Sequence, residues 1–178
     1  MIESFDGKTP IIAESTFVHP SAHIIGDVEI GEGSIVWPGA VIRGDFGSIR
    51  IGRSVFIEDN CVLHAGNPQD TWRGMPSSLD IGGNVIIGHA AVVNGKRIGN
   101  NVLIGMNATI LHGVEIDDYC IIAAGAVVMM GAKIPARSFV TGVPGEIRAE
   151  LRDEQLMWVE GHDTFRAEIM RKLKSQGS

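Results

Sequence analysis

The chain has 178 residues, of which 44% are apolar but only 6% aromatic, and a formal net charge of −6. One domain with a short appendage accounts for that length, and the acidic balance argues against a nucleic-acid surface, which needs clustered Lys and Arg. No stretch approaches the ~18 consecutive apolar residues of a membrane-spanning helix. Residues 1–6 lack the basic-then-apolar pattern of a secretory leader, so a soluble, cytoplasmic protein with no membrane partner is expected.

Residues 1–11 read as a lead-in, either an edge strand or a cap. From there a branched residue returns at every sixth position: Ile12, Val18, Ile24, Ile30, Val36 and Ile42. The beat resumes at Ile81, Ile87 and Val93, takes one step of five to Ile98, and continues through Ile104, Ile110, Ile116, Ile122, Val128, Ile134 and Val140. Neither a helix nor a flat sheet needs a period of six, whereas a coil of short strands and tight corners does; residues 12–145 therefore predict a parallel β-helix. Three hexads make one coil with three faces. The branched residue of each hexad points inward, polar residues such as Asp27, Glu29 and Glu32 point outward, and successive coils stack ~4.8 Å apart. Such a narrow interior suits branched aliphatics better than rings. Cys61 and Cys120 lie inside the repeats and read as buried, reduced thiols.

Two segments break the beat. Residues 66–80 are rich in Pro, Gly and polar groups and read as an excursion from the prism. On it, Trp72 and Arg73 either hold a larger anionic substrate, such as a carboxylate or a CoA thioester, or Trp72 anchors the loop to the prism. The second break is the five-residue step that carries Asn94. Beyond the repeats, residues 146–178 form a charged tail. In it Leu156, Val159, Ile169 and Leu173 follow helical spacing from about Ala149 to Lys174, with Asp153 as candidate N-cap. A β-helix also exposes flat faces, which invites symmetric self-association.

Six histidines are present. His19 and His23 read as surface residues. His64 and His89 are 25 residues apart and fall on different parts of the coil, so a subunit interface is the natural place for them to meet. His112, in a His-Gly pair 18 residues after Asn94, is expected one coil along and ~5 Å away, too far to share a cation with that position. Even without a metal, His64, His89, Glu58 and His112 make an acid–base group around a polar cleft.

The hexads, together with Val41-Ile42-Arg43-Gly44-Asp45, residues 57–64, Ile87-Gly88-His89 and Gly142-Val143-Pro144-Gly145, resemble the γ-class carbonic anhydrase family, which includes carnitine- and phenylacetate-operon proteins. The resemblance spans nearly the whole chain. It implies a left-handed β-helix with a C-terminal helix packed on it, and a homotrimer. It also implies zinc or another divalent metal on three histidines at each interface, where an open position activates water. His64 and His89 match two of those ligands, while Arg43, Asp45 and Asp59 match charges that orient the site. Three positions depart. The third ligand position holds Asn94, the site glutamine is replaced by Glu58, and an asparagine often found two residues earlier is Phe56. An amide oxygen is a poor zinc ligand beside imidazole; Glu58, with a carboxylate, and His112, with an imidazole, are the two candidate replacements. The expected function is hydration or hydrolysis of a small-molecule substrate larger than carbon dioxide. The rivals are a CoA-dependent hexapeptide acyltransferase and a non-catalytic trimeric scaffold.

Overall fold

The computed structural model describes residues 1–66, 77–160 and 163–175. Its framework is a parallel β-helix whose rungs are strands of mostly two residues, as a six-residue beat of strand and corner requires. The pairing stacks Val18, Val36, Ile57, Ile87, Ile104, Ile122 and Val140 in one column. A second column runs Ile24, Ile42, Leu63, Val93, Ile110 and Val128. The third runs Ile12, Ile30, Ile51, Ile81, Ile98, Ile116 and Ile134. Nearly all of these side chains are buried, with only Ile12 and Val18 at the open end partly so. Each contributes roughly 1.5–3 kcal/mol of transfer free energy, so the prism is held by many equivalent rungs rather than by one central cluster. Small residues (Ala22, Ala40, Cys61, Ala91, Ala108 and Ala126) fill the inward positions two before the second column. Both cysteines are free and fully buried, and burial pushes each thiol up to about 11.

The three outer faces have different fates. On the first, Phe17, Ile35, Phe56, Ile86, Leu103, Ile121 and Phe139 form an apolar stripe. The C-terminal segment covers it: Leu151, Leu156 and Val159 lie on Ile121 and its neighbours, and Ile169, Met170 and Leu173 lie on Phe17, Ile35 and Phe56. On the second face, Glu29, Arg50, Asp80, Arg97, Glu115 and Lys133 stand in register, alternating in sign. Cross-rung ion pairs such as Arg50–Glu29 at 3.2 Å link them, and opposite charges on neighbouring strands attract. The third face carries Val41, Val62, Val92, Thr109 and Val127 in register. Among the described residues nothing covers it, and Val62 is 38% exposed.

The tail differs from the single helix that its spacing predicts. Glu146–Glu150 is a strand, paired antiparallel with Ser138–Thr141, and it protects the last edge of that sheet. Asp153–Trp158 is a 3-10 helix, and the α-helix is confined to Asp163–Ser175. Asp153 is not a cap. The N-cap is Arg152, whose backbone N–H donates to Gln155 Oε1 at 3.0 Å, while Asp153 Oδ1 accepts from Arg137 at 2.7 Å. Anchoring of Leu151 and Val159 in the apolar stripe overrides helical periodicity here. No described helix is long and apolar enough to cross a membrane.

Candidate metal centre

Two histidine centres flank the uncovered face. His64 ends the strand Val62–His64, level with Arg43 on the neighbouring rung. Asp45, two residues beyond Arg43 and on the same side of the strand, accepts from His64 Nε2 at 3.0 Å, from the Phe46 backbone N–H at 2.9 Å and from the Arg43 guanidinium. Burial acts to raise the Asp45 carboxyl, but the Phe46 N–H, His64 and Arg43 outweigh it and hold Asp45 below the ordinary carboxylate range. His64 is pushed the other way. Burial, and then the Arg43 charge, depress its pKa below the ordinary imidazole value against the pull of Asp45. It is therefore neutral near pH 7. A carboxylate only accepts, so Nε2 carries the hydrogen and Nδ1 keeps a lone pair.

The second centre is a corner. Glu58 and Asp59 follow Ile57, Gly88 and His89 follow Ile87, and those two isoleucines pair, so Asp59 and His89 stack one coil apart. His89 Nδ1 bonds Asp59 Oδ2 at 2.8 Å and lies 3.7 Å from Glu58 Oε2. A carboxylate only accepts, so Nδ1 carries the hydrogen of that bond and Nε2 points away from Asp59. Glu58 is half-buried. Burial raises its pKa, the neighbouring Asp59 charge adds to that, and His89 opposes it. Gly88 allows the tight stacking, since a Cβ there would meet Met106 N at 2.8 Å. His89 is followed by Ala90 with φ of +58°, a left-handed backbone that disfavours a residue with a Cβ. The equivalent corner positions Gly39, Asn60, Asn107 and Gly125, also at positive φ, are all Gly or Asn.

Asn94 follows Val93, which pairs with Leu63, so it stands beside His64 on the next coil. Its Oδ1 is buried and has no hydrogen-bond partner, and a buried carbonyl without a donor is costly. The placement expected for His112 needs correction. Val93 pairs with Ile110, not with a residue 18 further on, because the five-residue step shortens that coil. Leu111 is therefore level with Asn94, and His112 sits in the following turn, its ring reaching the site of Gly66. Glu58 and Asp59 are grouped with His89, and their ligand atoms lie within 4.8 Å of one another; His64 is not in that group. Trp72 and Arg73 lie outside the described residues. Phe56, one of the three departures, is 4% exposed beneath the C-terminal helix and belongs to the packing of that face. Two features escaped the sequence reading. The Phe46 amide at Asp45 left no trace in residue type, whereas the valine strip was readable as a second apolar position just before each inward residue.

The family model for the bacterial transferase hexapeptide, described as six repeats, matches residues 9–44 and 95–129. Gamma carbonic anhydrase 2, mitochondrial, of Arabidopsis thaliana is 36% identical over 159 residues, 89% of this chain and 56% of the relative. The carnitine operon protein CaiE of Escherichia coli is 35% identical over 155 residues, 87% of this chain and 75% of the relative. The chain belongs to the γ-class carbonic anhydrase-like family of hexapeptide-repeat proteins. It spans little more than half the length of the plant relative. A solved hexapeptide transferase family protein from Anaplasma phagocytophilum superimposes with a TM-score of 0.86 at 26% identity, covering 96% of each chain.

Family membership implies a metal, and the donors in this chain suit one. In both centres a carboxylate holds one ring nitrogen, which is how ligating imidazoles are oriented and made more basic. The buried Asn94 oxygen, with no hydrogen-bond partner among the described residues, stands beside His64.

Proposed function

We propose that the chain forms a homotrimer holding a divalent cation, zinc in the first instance, between His64 of one subunit and His89 of the next. The site so formed adds water to a carbonyl carbon of a small substrate larger than carbon dioxide. One observation carries this reading: two imidazoles, each fixed by its own carboxylate, stand on either side of an apolar strip that no described residue covers, but do not meet within one chain. Covering that strip with a second copy removes Val62 and its neighbours from water.

When bound, the cation would acidify water and polarise a carbonyl oxygen. The remaining work falls to side chains. Asp45 and Asp59 fix the ring orientation of His64 and His89, and the Phe46 N–H, His64 itself and Arg43 together hold Asp45 ionised. Glu58, with its raised pKa 3.7 Å from His89, takes the proton released from water and returns it to the leaving group. The acid at this position, where the family resemblance implies glutamine, together with the amide at Asn94, favours a substrate that needs a proton relay over carbon dioxide.

Elemental analysis of purified trimer, with His64→Ala and His89→Ala as controls, tests the reading alongside assays of carbon dioxide hydration and of ester and thioester hydrolysis. Bound metal lost in both variants, with hydrolysis exceeding hydration, is expected; a metal-free wild-type protein would sink it. The likeness to the Anaplasma hexapeptide transferase family protein favours the rival acyltransferase reading, which predicts thermal stabilisation by CoA.

A further inference from the structure

Resting on the shared-cation reading above, we infer that His112 supplies the third imidazole of the site, from the same subunit as His64, in place of the amide at Asn94. His112 belongs to the turn two coils beyond the rung that carries His64, a separation of nearly 10 Å at ordinary strand spacing. Two local features remove that separation. The five-residue step shortens the intervening coil, so the register slips by one and His112 falls past the level of Asn94. The ring of His112 then reaches back toward the strand end that carries His64: an added Cβ on Gly66, two residues after His64, would lie 3.4 Å from His112 Cδ2 and 3.6 Å from Nε2.

The two imidazoles therefore face the same gap, beside the buried and unpartnered Asn94 Oδ1. Among the described residues no hydrogen bond or ion pair occupies the His112 ring, so a ring nitrogen is available. Two imidazoles from one subunit and His89 from the next then make the three-nitrogen set that zinc prefers, while Asn94 Oδ1 accepts a hydrogen bond from whatever fills the gap.

The test compares zinc and cobalt(II) binding by intact trimers of wild type, His112→Ala, Asn94→Ala, His64→Ala and the swap Asn94→His with His112→Ala. Affinity is read by chelator competition and ligand number by the cobalt absorption spectrum. The expected result is a loss of about 100-fold or more in zinc affinity for His112→Ala, close to that for His64→Ala. Asn94→Ala should lose less than 10-fold, and the swap should recover the affinity and the three-nitrogen cobalt spectrum. If His112→Ala binds as tightly as wild type while His64→Ala does not, this inference is wrong and the shared-cation reading stands. If wild type binds neither metal, both fall. Elution volume and melting temperature of each variant report that the trimer is intact.

Discussion

His64→Ala and His89→Ala should complement each other in one trimer. In a single chain His89 is bound to Asp59 at a corner while His64 is bound to Asp45 at the end of the next strand, and the ligand-atom group around His89 excludes His64. If each site takes His64 from one subunit and His89 from its neighbour, either variant alone has no intact site. A closed three-fold ring has three equivalent interfaces. In an equal random mixture each interface pairs an intact His64 with an intact His89 only when both flanking subunits are of the right kind, so about a quarter of all sites are restored. The assay is to unfold and refold the variants together, verify mixed trimers by native mass spectrometry, and measure bound zinc per subunit. The expected value is about a quarter of wild type, with the separately refolded variants at background. Mixed trimers that stay at background would refute a site shared between these two histidines, and metal retained by either homotrimer would refute the role of the missing residue.

Glu58→Gln should raise the melting temperature of metal-free protein at pH 7 and leave it unchanged near pH 4. The folded-state pKa of Glu58 is raised by burial, so its contribution to stability is present below the ordinary carboxylate value and is lost as pH rises through the raised one. A pH-independent difference between the two proteins would contradict that origin. The same variant should lose the hydrolytic rate while keeping its metal. Ala90→Gly should stabilise the fold by about 1 kcal/mol, or roughly 2–4 °C, because it relieves a left-handed residue with a Cβ; calorimetry that finds destabilisation would place the strain elsewhere. Val62→Asp, in the middle of the uncovered strip, should convert the trimer to folded monomers in sedimentation velocity and abolish metal binding. A persisting trimer would move the interface to another face.

Much of the prism was legible in the chain because its information is local and repeated. Each hexad specifies an inward branched residue and a corner, and neighbouring coils only confirm what each already encodes. Ile24 and Ile42, and likewise Ile110 and Val128, stack 18 residues apart as their spacing predicts. The tail was legible only as apolar periodicity. Glu146–Glu150 became a strand because an open sheet edge was available to pair with, something no local pattern states. The candidate site divided the same way. His64 and His89 were marked by motif, and their separation in the coil followed from counting.

The position of His112 did not follow from counting. A step of five in place of six alters the register of one coil, and where that leaves the His112 ring appears only when coils are stacked in space. Likewise the pairing of Asp45 with His64, the burial that raises Glu58 and the orphaned oxygen of Asn94 depend on what surrounds each group. Sequence by itself determined the period, and with it a solenoid whose three faces can be listed residue by residue. Tertiary structure decided which face stayed bare and which side chains share a gap, because burial and contact depend on the whole stack and not on any single turn of it.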